Sequence, residues 1–162
     1  PEAQLDRFLF RLQARTPDAV AMVRILAATT SDDRLDDRTH LEQQELAELQ
    51  SLVRQVLCGS HLLRFAAELV LASHGDRPDA EEATRRYVRY GASARAGQAI
   101  ILGAKARALL AGRPAVVRED IDACLVPAMA HRVMLRFEAE ADGVSVTDLL
   151  PAWAKFAQRR IG

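Results

Sequence analysis

One short stretch of this chain repeats with period two, and almost everything after it repeats with the period of a helix. Phe8, Phe10, Leu12 and Ala14 alternate with Leu9, Arg11 and Gln13, the pattern of a strand that presents one face to a core. No second stretch of the chain reads as confidently as a strand. A lone strand cannot satisfy its own backbone groups, since each amide and carbonyl wants a partner. Its sheet must therefore be missing or supplied by another chain, and the bulk of the fold must be a helical bundle.

The helical part reads as about six segments joined by short loops. Thr16-Pro17-Asp18 is a helix start, with a capping hydroxyl, a proline suited to the first turn and an acid at the positive end of the dipole. Ala19, Val23, Leu26 and Ala27 are its expected buried stripe, and the polar run from Thr29 to Arg38 is an expected surface loop. Thr39 with Glu42 forms a capping box ahead of Leu46, Leu49, Val53 and Val56. Ser60 is the expected cap of a helix that buries Leu62, Phe65, Ala66, Leu69 and Ala72 and leaves through a left-handed Gly75. After a turn at Gly75–Pro78, Thr84–Gly91 reads as extended or turning. A long helix then runs from Ser93 to Gly112-Arg113-Pro114, with Ala99, Leu102, Gly103, Ala106, Leu109 and Leu110 on its apolar face. The next, from Glu119, should bury Ile121, Leu125 and Ala128 and bend or end near Pro127. Ser145 and Asp148 open a short last helix that carries Trp153 and Phe156.

Composition narrows the function. With 49% hydrophobic and 27% charged residues the chain is globular, and no apolar run reaches the roughly 18 residues of a membrane span. Lys+Arg 22 against Asp+Glu 22 cancels to a net charge of zero, which removes the global pull toward nucleic acid or an anionic membrane. Cys58 and Cys124 lack neighbours at metal-ligand spacing, and His40, His61, His74 and His131 form no i, i+4 zinc face. No metal site is expected, and a reduced, cytoplasmic chain is. The opening Pro1-Glu2-Ala3 carries neither an initiator Met nor a signal-peptide pattern, so the chain reads as cut from something longer. Gly91, Gly97 and Gly103 lie six apart, yet Ala92, Gln98 and Ala104 follow them where a phosphate-cradling loop needs lysine.

Two short stretches carry a resemblance. Pro1-Glu2-Ala3-Gln4-Leu5-Asp6-Arg7-Phe8 resembles the segment after the first sensor in AAA+ ATPases of the MoxR family, where the arginine sits at the subunit edge. Arg89-Tyr90-Gly91-Ala92-Ser93-Ala94-Arg95-Ala96 resembles the second-sensor motif that starts the family's lid helix, although Ala94 stands where the family usually carries proline. Gly112-Arg113, the Glu119-Asp120 helix start, His131-Arg132 and Phe137–Gly143 follow in the family's order, so that the likeness spans roughly residues 1 to 150.

The resemblance implies a mainly α fold: a helical-bundle lid domain at residues 39–162, preceded at 1–38 by one strand, one helix and a loop from an α/β nucleotide-binding core. It implies ATP hydrolysis with Mg²⁺ in the full-length protein, coupled to remodelling or maturation of client proteins. The implied partners are other subunits of a homo-oligomeric ring and a von Willebrand A-domain protein, with neither nucleic acid nor membrane. It casts Arg7 as an arginine finger acting in trans and Arg95 as the second sensor that contacts the ATP phosphates. The chemistry agrees, since a guanidinium can match the charge that spreads over the γ-phosphate in the transition state. An arginine in the first turn of a capped helix also suits an anion. Without the Walker motifs the chain alone should be inactive and bind ATP weakly. The rival readings are a free-standing helical interaction module without nucleotide chemistry and, against the neutral charge, a helix-turn-helix DNA binder.

Overall fold

In the computed structural model, residues 2–31 and 41–161 are described. The first helix, α1 (Glu2–Leu5), is followed by α2 (Ala19–Thr30), α3 (Gln43–Gln55), α4 (Ser60–Ala72) and α5 (Glu82–Tyr87). Strand β1 (Val88–Tyr90) leads into α6 (Ala94–Leu110) and α7 (Arg118–Met129), and β2 (Met134–Leu135) into α8 (Phe137–Ala141) and α9 (Val146–Ile161). Two compact units emerge, one made of Pro1–Arg11 with Ser51–Gly162 and the other of Leu12–Gln50. The expected division between residues 38 and 39 falls outside the described residues.

The strand expected at residues 8–14 is absent. The backbone bends at Phe8-Leu9 and stays irregular to Asp18, because no described segment runs beside it to complete a ladder. Arg11 N–H instead donates to the Pro127 carbonyl at 2.9 Å. Of the apolar positions that set the period, Phe10 packs against the core, while Phe8 and Leu12 remain exposed at 64% and 81%. The period of two arises from residues that serve different ends. In the smaller unit, α2 starts one residue after Asp18, whose carboxylate accepts from Ala21 N–H at 2.8 Å. None of its residues is buried, against the stripe expected from Ala19 to Ala27. Thr29 and Thr30 belong to its last turn and donate back to the carbonyls of Ile25 and Leu26. Ser31 follows as the C-cap of α2, and the remainder of the expected loop, with Thr39 of the capping box, lies outside the described residues.

The larger unit is built on α6. This helix packs against α7 and α4, and α4 packs against α9. Its buried face is Ala96, Ala99, Ile100, Gly103, Ala104 and Ala108, a stripe of small side chains that lets its neighbours approach closely. Leu110, expected inside, is 88% exposed. At Gly103 a β-carbon would come 2.9 Å from Cys124 Sγ of α7, so only glycine keeps the two helices this close. The α6 helix ends through Gly112 at φ 67, the left-handed exit that glycine makes without strain. The exit expected at Gly75 does not form, since Gly75 has no positive φ and Ser73 ends α4 in the right-handed region. The buried set of α4 agrees with the sequence, and Val70 joins it.

Between α5 and α9, Trp153 is fully buried and its Nε1–H donates to the buried Thr84 hydroxyl at 2.8 Å. Thr84 lies in α5, where the sequence suggested an extended or turning segment; within that segment Val88–Tyr90 is strand. It pairs antiparallel with β2, Val88 opposite Leu135 and Tyr90 opposite Met134. Asp120 is 2% exposed and accepts two hydrogen bonds from Arg113, each 2.7 Å, and one from Val117 N–H at 3.0 Å. The Arg113 hydrogen bonds outweigh burial and hold its carboxyl below the ordinary value of 3.8. A carboxyl with a lowered folded pKa contributes stability that is full above the ordinary value and fades as pH falls through the folded one. Asp120→Ala should therefore cost about 3 kcal/mol at neutral pH. In urea melts the gap from wild type should narrow below the ordinary carboxylate range; a gap that stays constant into strong acid would mean the ion pair contributes nothing.

Candidate functional site

The paired strands bring the end of β1 beside the residues that follow α7. A cleft of about 510 Å³ opens there, lined by Asp6, Arg11, Tyr90, Ser93, His131 and Arg132 among others. On one side the chain passes from β1 through Gly91-Ala92 into the start of α6. This turn is held from beneath: Ser73 Oγ accepts from Ala92 N–H, and the His74 ring lies 2.9 Å from the Ala92 carbonyl. A β-carbon at Gly91 would meet the His74 ring and the Ser73 carbonyl at 2.7 and 2.8 Å. The turn is thereby fixed, and with it the first turn of α6.

Ser93 caps that helix, its hydroxyl oxygen accepting from Arg95 N–H at 3.2 Å. The same hydroxyl donates to the Asp6 carboxylate at 2.9 Å, and Arg95 Nη1 donates to Asp6 Oδ2 at 2.8 Å. Arg95 remains 58% exposed. From the other side Arg132 Nε donates to Asp6 Oδ1 at 3.1 Å. Partial burial opposes the charge on Asp6, but hydrogen bonds from Arg95 and Ser93 prevail and keep its carboxyl below the usual range. Burial pushes the Arg132 guanidinium down, with the Asp6 charge opposing the shift; arginine remains protonated at any ordinary pH.

The geometry joins Arg95 to Asp6, a neighbour in sequence of Arg7. Arg7 itself is exposed, and among the described residues it forms no ion pair; its backbone N–H turns back to the Gln4 carbonyl at 3.3 Å. Asp6 thus serves Arg95 and Arg132 rather than Arg7. Sequence reasoning missed three supports: Asp6 as the hub, Arg132 as its buried partner, and the Ser73-His74 brace under the Gly91 turn. Asp6 and the His131-Arg132 pair carried a signal only as members of the stretches that bear the resemblance, and the Ser73-His74 brace carried none. Among the described residues no group of three His, Cys, Asp or Glu could hold a metal ion, and no helix is long and apolar enough to cross a membrane.

Residues 80–153, which include the capped start of α6 and most of the cleft lining, match the AAA lid domain family. Related proteins share nearly the whole length of the chain. It is 28% identical over 147 residues to Chaperone MoxR1 of Mycobacterium tuberculosis, covering 90% of this chain and 38% of that one. It is 33% identical over 150 residues to Protein MoxR of Paracoccus denitrificans, covering 83% and 43%. A crystal structure from Cytophaga hutchinsonii, named a "putative ATPase", superposes with a TM-score of 0.83 at 26% identity, covering 96% of this chain and 48% of that one. The chain carries an AAA lid domain. Beyond that domain it is similar to the MoxR-named proteins, and it spans less than half the length of these relatives.

Proposed function

We propose that the protein to which this lid belongs hydrolyses ATP, in cytoplasmic rings of its own copies, and couples hydrolysis to remodelling or maturation of client proteins. A von Willebrand A-domain protein is the further partner of this reading. Arg95 contacts the nucleotide phosphates within its own subunit, and Arg7 reaches the γ-phosphate bound by a neighbour. The observation that carries the proposal is Arg95 at the start of α6, exposed and already donating to an oxyanion, the Asp6 carboxylate, at 2.8 Å. Phosphate oxygens present the same chemistry to the guanidinium fork. The described residues do not fit a Mg²⁺ site, so that ion is held by the nucleotide and by residues outside them. What this chain supplies is positive charge placed for binding and for the transition state.

The test is Arg95→Ala in the whole protein. Nucleotide affinity should fall on the order of tenfold, the scale of one lost charge-assisted hydrogen bond, and turnover should fall with it. The fold should persist, because an ion pair this exposed contributes under about 1 kcal/mol and the buried face of α6 is untouched. Arg95→Lys should restore part of the affinity, since an ammonium offers a point charge without two parallel donors. If Arg95→Ala lowers the thermal midpoint by many degrees while affinity per folded molecule stays the same, the arginine is structural and the assignment fails.

A further inference from the structure

Arg132 takes no part in the chemistry assigned above, yet its side chain is only 2% exposed. A buried charge is tolerated where every polar group finds a partner, and here all five guanidinium N–H groups find one. Nε donates to Asp6 Oδ1 and Nη2 to the carbonyls of Asp6 and Phe8; Nη1 donates to the carbonyls of Leu9 and Ala128. Four of the five acceptors belong to residues 6, 8 and 9, which bracket Arg7. The His131 ring adds a contact to the Phe8 carbonyl at 3.1 Å. Since no strand ladder forms here, the guanidinium fork does for these carbonyls what a neighbouring strand would.

We propose that Arg132 is the positioning residue for Arg7. It clamps the backbone on both sides of the finger and, through the shared Asp6 carboxylate, ties that segment to Ser93 and Arg95. The finger is thereby mounted on the lid and moves with it. This rests on the reading of Arg7 as the trans-acting finger. Displacing a transition-state donor by about 1 Å can cost roughly a hundredfold in rate, so loosening the clamp should show in turnover before it shows in binding.

The test is Arg132→Lys in the whole protein. Lysine keeps a charge for Asp6, but one ammonium has three donors and cannot serve five acceptors. Turnover should fall roughly a hundredfold while nucleotide affinity stays within about threefold. Amide hydrogen exchange over residues 8–11 should quicken about tenfold or more, with α6 still protected. The double variant Arg7→Ala with Arg132→Lys should turn over no more slowly than Arg7→Ala alone, since a residue that acts only through Arg7 has nothing left to disturb. The proposal is overturned if the double variant is slower in proportion to both changes, if turnover and affinity fall together, or if exchange over residues 8–11 is unchanged. Failure of the finger itself would look different: Arg7→Ala alone would leave turnover intact while exchange still quickened in Arg132→Lys.

Discussion

Replacing Arg7 by alanine in the assembled full-length protein should cut ATP turnover on the order of a thousandfold, the scale on which arginine fingers act. Nucleotide affinity should scarcely change, because a finger stabilises the transition state formed on a neighbour and adds little to the ground state in its own subunit. Local stability gives no reason for a larger effect. The Arg7 side chain is exposed, its acidic neighbour Asp6 pairs with Arg95 and Arg132, and the surrounding backbone is held by other residues. Measuring kcat and nucleotide affinity side by side separates the outcomes. Loss of binding in step with turnover would assign Arg7 to folding.

Trp153→Ala should be the most destabilising single change in the lid, by roughly 4 kcal/mol. The indole is fully buried in the core cluster with α4 and α6 residues, so truncation leaves a large cavity. It also orphans the Thr84 hydroxyl, 1% exposed, which now accepts the indole N–H at 2.8 Å. Domains of this size are stable by only about 5–15 kcal/mol, and the variant should melt on the order of 10 °C lower. Trp153→Phe keeps much of the volume but removes the donor, and should cost about 1–3 kcal/mol. A thermal melt of each variant against wild type reads both; a Trp153→Phe variant as stable as wild type would mean that the hydrogen bond contributes nothing, and equal losses in the two variants would mean that the cavity contributes nothing.

The bundle was legible in the sequence where one face of a helix meets a core. Leu62, Phe65, Ala66 and Leu69 fall at helical spacing and are buried together in α4, and Pro127 sits inside the last turn of α7. The stripe of α6 was harder to read. A helix whose buried face is mostly alanine and glycine shows little contrast with its outer face, so Leu110 looked like core and Ala104 was left off the expected apolar face. The short elements α5, β2 and α8 span two to six residues each, too few for a period to emerge. Residues 8–14 misled because alternation signals a strand only when a partner strand exists, and here Phe10 alone of the alternating set packs into the core. The site was legible in part. Ser93 and Arg95 could be placed because a helix cap is a local feature, whereas the bonds from Asp6 to Ser93, Arg95 and Arg132 join residues 87 to 126 positions apart. No local pattern carries such a separation.

Mixing subunits tests the central claim most directly. One variant carries Arg7→Ala with its phosphate loop intact, and the other has a defective phosphate loop and an intact Arg7. Each alone should be nearly inactive. In mixed rings the intact phosphate site of the first subunit faces the intact finger of the second, so turnover should recover to a measurable fraction of wild type. No recovery at any mixing ratio, in rings verified to contain both subunits, would contradict the account and return Arg7 to the role of a surface arginine.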